Sequence, residues 1–267
     1  MSEESLEQDK IITGDCLEVM RGFAAERVDL TITSPPYLLL KEYESKQTIE
    51  EYLAFMLSVM KELYRITKIG GRVCWNIPNQ MRRNSYGELW SPMAESFQLL
   101  KQANFRFFDL IIWNQGYADS ATAWGSWRSP SAPFIRHQTE SILVFYKGLW
   151  KIQHKGKSDL EPREFMSLTK GELWDIKPET NRENHPAPFP IELPSRCIKL
   201  FSYIGDVVLD PFCGSGTTAV ACHELKRRFI GIEINSEYAE IARARIKFHQ
   251  EQTKLTEVLN SSAKESV

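Results

Sequence analysis

Val207-Val208-Leu209-Asp210-Pro211-Phe212-Cys213-Gly214-Ser215-Gly216-Thr217-Thr218 reads as a short strand ending in an acid, a tight turn and the first residues of a helix. Three apolar residues in a row suit a strand covered on both faces, as in a parallel sheet. Gly214 and Gly216 allow a sharp turn and a close approach of backbone to a ligand, and the free N–H groups of a helix start favour an electron-rich one. Glu233 follows at the end of a second strand, Arg228 to Glu233 (RFIGIE). A carboxylate in that place can accept hydrogen bonds from both hydroxyls of a ribose. The stretch therefore reads as a site for a nucleoside-containing cofactor. It does not say which one. Gly214-Ser215-Gly216-Thr217-Thr218-Ala219 also satisfies the G-x-G-x-x-G/A dinucleotide pattern, so NAD and S-adenosyl-L-methionine both fit.

Outward from this loop, strands and helices alternate. Val28 to Thr33 (VDLTIT) is a β-rich run that stops at Ser34-Pro35-Pro36. From Ile49 to Thr67 the residues Tyr52, Leu53, Met56, Leu57, Met60, Leu63 and Tyr64 recur with helical spacing, and Gly70-Gly71 reads as the stop. Arg72 to Ile77 is a strand, Ser91-Pro92 caps and opens a helix, and Phe105 to Trp113 and Ser141 to Lys147 are further strands. A charged, irregular stretch leads to about Pro190. Beyond it come a helix (Ile191 to Phe201), a strand (Asp206 to Asp210), a helix (Thr217 to Leu225), the RFIGIE strand, and a helix from Ser236 to Gln250 that Asn235 or Ser236 caps. Such alternation predicts an α/β fold: a doubly wound, mostly parallel sheet with helices on both faces.

Composition excludes several classes. With 267 residues, 42% hydrophobic and 25% charged, the chain can bury a sizeable core, and extended disorder is expected only at residues 1–10 and 251–267. No apolar stretch is long enough to span a membrane and the acidic start lacks the pattern of a signal peptide, so a cytoplasmic location is expected. Cys16, Cys74, Cys197, Cys213 and Cys222 form no C-x-x-C pair, which argues against zinc or a disulfide framework and for reduced thiols. His137 and His154 read as ordinary polar residues, and no metal is expected. The formal net charge of −2 gives no hint of a polyanionic partner. Its distribution does, because residues 101–157 carry eight Lys or Arg against three acids, together with four of the seven Trp residues. Cations beside aromatic rings suit phosphate contacts and base stacking, and equally a solvated loop over a few buried Trp.

The cofactor question is decided by Thr33-Ser34-Pro35-Pro36-Tyr37. Consecutive prolines have a fixed φ and no N–H, so they hold the Ser34 hydroxyl and the Pro35 carbonyl as a rigid arc of acceptors, with a ring one residue beyond. This is a clamp for an amine. The exocyclic nitrogen of cytosine or adenine is a poor nucleophile because its lone pair is delocalised into the ring. Two acceptors on its N–H groups favour a pyramidal nitrogen with an available lone pair, while Tyr37 can stack on a base that has left the helix. The nitrogen then attacks a sulfonium methyl in line, and the protein contributes positioning and electrostatics. Carbon-5 methylation of cytosine is argued against, since it needs a thiolate presented in a Pro-Cys loop and the chain has no Pro-Cys dipeptide. Cys213 reads as a small packing residue.

On these motifs the chain resembles the amino-methyltransferases of restriction-modification systems that methylate cytosine N4 or adenine N6, in the permuted (beta-class) order with the catalytic tetrapeptide ahead of the cofactor loop. The matching stretches run from Gly14-Asp15-Cys16 to Glu233-Ile234-Asn235. The resemblance implies a Rossmann-like methyltransferase sheet with a small DNA-recognition insertion, and S-adenosyl-L-methionine as cofactor. It places Ser34, Pro35, Pro36 and Tyr37 in catalysis. Asp15 then lies at the cofactor's adenine, Asp210 to Thr218 (Asp210, Pro211, Phe212, Cys213, Gly214, Ser215, Gly216, Thr217 and Thr218) around its methionine part, and Glu233 at its ribose, with Cys16 and Ile234 as further cofactor-binding residues. His185-Pro186 and the residues after it look like the family's cofactor-side motif. Ser before Pro-Pro-Tyr is similar to cytosine-N4 members, and Asp or Asn there to adenine-N6 members, so methylation of cytosine N4 in a short duplex sequence is expected, with adenine N6 as the alternative and a catalytically silent DNA-binding regulator as a reading of another class.

The expected organisation is a catalytic half at 11–112, a target-recognition insertion at 113–184 that includes one core strand (141–147), and a cofactor-binding half at 185–250. Within the insertion Trp124, Trp127, Arg128 and Arg136 are the candidates for stacking, for reading guanine edges or for holding phosphates. Double-stranded DNA is the expected partner. A cognate restriction endonuclease and a homodimer are expectations of the resemblance alone.

Overall fold

A computed structural model describes residues 8–36, 48–82, 89–116, 125, 126, 128–133, 135, 137–179 and 189–265. In chain order the elements are β1 (Lys10–Thr13), α1 (Cys16–Arg21), β2 (Val28–Thr33), α2 (Ile49–Ile66), β3 (Thr67–Pro78), β4 (Met81–Arg82), β5 (Leu89–Trp90), α3 (Pro92–Gln102), β6 (Arg106–Asn114), β7 (Thr139–Tyr146), α4 (Pro162–Thr169), β8 (Leu173–Asp175), α5 (Glu192–Phe201), β9 (Val207–Asp210), α6 (Thr217–Glu224), β10 (Arg228–Glu233) and α7 (Ser236–Glu265). Eight strands form one sheet in the order β1-β10-β9-β2-β3-β7-β6-β8, while β4 and β5 make a separate ribbon. Strand β7 runs antiparallel to both its neighbours, and every other pairing in the large sheet is parallel.

Helices cover both faces, as the alternation predicts. On one face Met20 of α1, Met60 and Leu63 of α2 and Leu100 of α3 pack on Val207, Leu209, Leu143 and Phe145. On the other, Ile198 of α5, Val220 of α6 and Ala242 of α7 pack on Val208, Ile142 and Val144. Neighbouring residues of β7 and β9 thus go to opposite cores, the period of two that a strand imposes. Local chemistry sets the helix starts. Thr48 and Glu51 form a reciprocal capping box at α2, Ser91 accepts the Ala94 N–H at 3.3 Å ahead of Pro92, and Asn235 rather than Ser236 caps α7, accepting the Glu237 N–H at 2.8 Å.

Several expectations are corrected. Gly70-Gly71 does not stop α2, because β3 begins directly at Thr67. The glycines lie inside that strand, where a Cβ on Gly71 would meet the Asp29 carbonyl at 2.8 Å and one on Gly70 the Lys151 backbone. The stretch read as irregular before Pro190 contains α4 and β8, so residues 113–184 supply two strands of the main sheet rather than one. β8 has three residues, too few to show a period, and it is anchored by buried Trp174, whose indole N–H donates to the Leu168 carbonyl at 3.2 Å. Helix α7 continues past Gln250 to Glu265, where a frayed tail was expected. At the other terminus order begins before residue 11: the Asp9 N–H donates to the Phe229 carbonyl at 2.6 Å and its carboxylate accepts the Phe229 N–H at 3.1 Å. All five cysteines are buried and free, in agreement with the sequence reading. Among the described residues no helix is long and apolar enough to cross a membrane.

Candidate active site

Strands β2 and β9 are neighbours, paired through Leu30 with Val208 and Thr31 with Leu209. Their carboxyl ends therefore open side by side, and the Ser34-Pro35-Pro36 loop and the glycine loop emerge next to each other although 173 or more residues separate them in the chain. Asp210 is the joint. Its Oδ1 accepts from Thr33 Oγ1 at 2.7 Å and from the Phe212 N–H at 3.1 Å, and its Oδ2 accepts from Thr218 Oγ1 at 2.7 Å. One buried carboxylate thus ties the end of β2, the turn after β9 and the first turn of α6. Burial outweighs these three donors and pushes the Asp210 carboxyl up to about 6.

The glycine loop is shaped from three sides. Gly216 lies at φ +83° in the left-handed region, and a Cβ there would come within 2.9 Å of the Ala242 Cβ, so both conformation and space require glycine. Glu233 Oε2 accepts the Gly214 N–H at 2.8 Å while Oε1 accepts the Asn235 N–H at 2.9 Å. Each oxygen keeps a second lone pair with which a ribose hydroxyl can bond. From α7, Arg245 Nη1 donates to the Ser215 carbonyl at 2.7 Å and to Ser215 Oγ at 2.9 Å, so Ser215 faces an internal partner. Cys213 is buried, and burial together with the Asp210 and Glu233 charges raises its thiol well above the ordinary value, so the thiolate is disfavoured.

Asp15 and Cys16 stand beside Glu233. The Gly14 N–H donates to the Glu233 carbonyl at 2.9 Å, and Asp15 Oδ1 caps α1 by accepting the Leu17 and Glu18 N–H groups at 2.9 and 3.0 Å. Cys16 is buried, and that burial pushes its thiol up to about 12. Ile234 is 72% exposed directly after Glu233, an apolar side chain left uncovered beside that carboxylate. An uncovered apolar surface next to a ribose-type acceptor fits the adenosine part of S-adenosyl-L-methionine.

At the other loop Ser34 is half-buried, Pro35 buried and Pro36 exposed. Tyr52 of α2 donates its hydroxyl to the Pro36 carbonyl at 3.1 Å and fixes the loop from below. Asn76 Nδ2 reaches Ser34 Oγ at 3.4 Å. Tyr52, Asn76 and Arg245 touch these loops and were not found by sequence reading, because they come from strands and helices that look like ordinary structure; Thr33 was quoted with the Ser34 motif, but its bond to Asp210 was not foreseen.

Tyr37, His185, Pro186, Trp124, Trp127 and Arg136 lie outside the described residues. Arg128 is exposed at φ +53°, at the tip of a turn closed by the Gly125–Pro133 bridge and by the Ser126 N–H on the Ala132 carbonyl at 2.8 Å. At the opposite, amino ends of β2 and β9, Asp29, Asp206 and His154 come together, a grouping the spacing did not suggest. Lys68 Nζ stands 2.8 Å from both Asp29 oxygens and already supplies a cation there.

A model of the DNA methylase family matches residues 28–244. The type II methyltransferase M.SmaI of Serratia marcescens is 30% identical over 275 residues, covering 91% of this chain and 92% of its own. M.ScaI of Streptomyces caespitosus is 28% identical over 88% of this chain and 80% of its own. Among solved structures, a candidate DNA modification methylase from Thermus thermophilus, complexed with S-adenosyl-L-methionine, superposes with a TM-score of 0.74 at 30% identity, over 90% of this chain and 93% of that one. The cytosine-N4-specific PvuII DNA methyltransferase shares the fold, with a TM-score of 0.68 at 24% identity over 87% and 84% of the two chains. The chain belongs to the DNA methylase family of N6 and N4 amino-methyltransferases.

Proposed function

We propose that the chain methylates the exocyclic N4 of cytosine in duplex DNA, taking the methyl group from S-adenosyl-L-methionine. The observation that carries this reading is the direct bond between the two halves of the site, Thr33 Oγ1 to Asp210 Oδ1 at 2.7 Å, which sets the amine clamp beside the cofactor loop. The cofactor supplies a methyl on a sulfonium, whose leaving group is a neutral thioether. Glu233 and Ile234 hold its ribose and adenine, Asp15 and Cys16 adjoin the adenine, and the loop from Asp210 to Thr218 surrounds its methionine end. The Asp210 charge, buried behind that loop, favours a cationic sulfur in front of it.

Ser34 Oγ and the Pro35 carbonyl accept the two N–H bonds of the flipped base and Tyr37 stacks on its ring. The nitrogen lone pair forms the bond to the methyl carbon, the carbon–sulfur pair stays with sulfur, and the nitrogen releases one proton to water. Ser34 acts here as an aimed acceptor and not as a nucleophile. The exposed Arg128 turn contacts phosphate or a base edge, and the names of the type II relatives suggest a cognate endonuclease as a functional partner. Ser before Pro-Pro-Tyr supports cytosine over adenine.

The test is to methylate unmethylated bacteriophage DNA, digest it to nucleosides and identify the product by mass spectrometry. N4-methyl-2′-deoxycytidine is expected, and N6-methyl-2′-deoxyadenosine alone overturns the base assignment. Ser34→Ala is expected to abolish turnover while sparing cofactor binding. DNA binding without transfer to any duplex overturns the enzymatic reading in favour of a silent regulator.

A further inference from the structure

Behind Ser34 lies a row of polar side chains at a place where a sheet interior is normally apolar. Asn76 on β3 is 2% exposed, and its Nδ2 donates to Ser34 Oγ at 3.4 Å and to Glu140 Oε2 at 2.7 Å. Gln115, just past β6, donates its Nε2 to the other oxygen, Glu140 Oε1, at 2.8 Å. Two amide donors on two carboxylate oxygens is the pattern of an ionised carboxylate, which only accepts. Glu140 therefore dictates that Asn76 presents its amino group to Ser34 and not its carbonyl. The cost is visible, because Asn76 Oδ1 is buried with no hydrogen-bond partner among the described residues.

Topology explains how the row assembles. β7 is the antiparallel strand of the sheet, so its first residues, and not its last, sit at the carboxyl ends of β3 and β6. Glu140 pairs with Pro78 of β3, which places it diagonally across from Asn76 on the same face. The two contacts put the nearer carboxylate oxygen at most about 6 Å from Ser34 Oγ, with Ser34 and Glu140 both half-buried and Asn76 buried between them.

We propose that Glu140 is a positioning residue and counter-charge for methyl transfer. It holds the Asn76 amide against Ser34, so that the hydroxyl is fixed where the target amine arrives, and its negative charge stands behind the clamp while that amine becomes cationic. The role rests on the amine-transfer reading of the Ser34 loop and extends it from the loop to the sheet beneath it.

The experiment compares wild type, Glu140→Gln and Glu140→Ala in single-turnover methylation of unmethylated bacteriophage DNA, with cofactor affinity measured by calorimetry and the KM for DNA measured alongside. Glu140→Gln keeps the shape and, with the Gln115 amide turned over, both hydrogen bonds, but removes the charge. It is expected to slow transfer by roughly 10- to 100-fold while cofactor Kd and the KM for DNA stay within about twofold. Glu140→Ala, which also releases Asn76, is expected to be slower still. A wild-type rate in Glu140→Gln overturns the counter-charge, and a parallel loss of rate and cofactor affinity shows a structural role instead. If wild type binds cofactor but methylates no DNA, the amine-transfer reading falls and the Glu140 role falls with it. An active wild type beside an equally active Glu140→Gln removes the Glu140 role alone.

Discussion

Replacing Asp210 with asparagine separates two opposed consequences of a buried charge. The folded carboxyl titrates at about 6 against an ordinary 3.8, with burial as the main cause, so the native state holds its proton more tightly than the unfolded chain does. Between those values the native protein is protonated where the unfolded chain is not. Stability therefore falls as pH rises through this window and levels off above the folded value. A shift of this size corresponds to about 3 kcal/mol, of which about 2 kcal/mol accrues between pH 4.5 and 8. Asp210→Asn keeps the shape: its carbonyl can still accept from Thr33 and the Phe212 N–H, and the Thr218 hydroxyl can rotate to accept from the new amide. It cannot ionise. Urea unfolding of both proteins, followed by tryptophan fluorescence from pH 4.5 to 8, should show the variant gaining on wild type by about 2 kcal/mol as pH rises. The same substitution should weaken cofactor binding at pH 8, because the buried charge behind the proposed sulfonium site is gone. A pH-independent difference, which means that the three donors offset burial, or a variant that loses ground with rising pH, which means that they outweigh it, refutes the reasoning.

Three further outcomes test other parts of the site. Gly216→Ala combines a left-handed φ with a contact at 2.9 Å to Ala242, and should lose roughly 2 kcal/mol in thermal unfolding, with Ala242→Gly recovering part of the loss; an unchanged melting temperature excludes the strained turn. Glu233→Ala removes the acceptor for the Gly214 and Asn235 N–H groups and should weaken S-adenosyl-L-methionine by about 10-fold or more in calorimetry, and an unaltered Kd places the ribose elsewhere. Arg128→Ala should lower DNA affinity and reduce the slope of log affinity against log salt by about 1, and an identical slope removes Arg128 from the phosphate contacts.

Much of this protein was legible without coordinates, because the decisive signals are local. Short β-rich runs locate β2 and β9, each closed by a proline within two residues, and β10 to within a residue or two, and the helical spacing from Tyr52 to Tyr64 locates α2. The glycine loop and the Ser34-Pro35-Pro36 loop show themselves through backbone requirements that few other residues meet. What the tertiary structure alone decided is what sequence distance hides. β1 and β8 are edge strands of four and three residues, whose strand character comes from pairing with β10 and β6 and not from any period of their own. Asp210 reads as a cofactor ligand in the motif, yet its three bonds make it the joint between two loops, a role visible only once β2 and β9 are neighbours. Asn76 and Glu140 carry no motif at all. They reach Ser34 because one strand reverses, and the direction of a strand is set by long-range hydrogen bonding that no residue encodes alone.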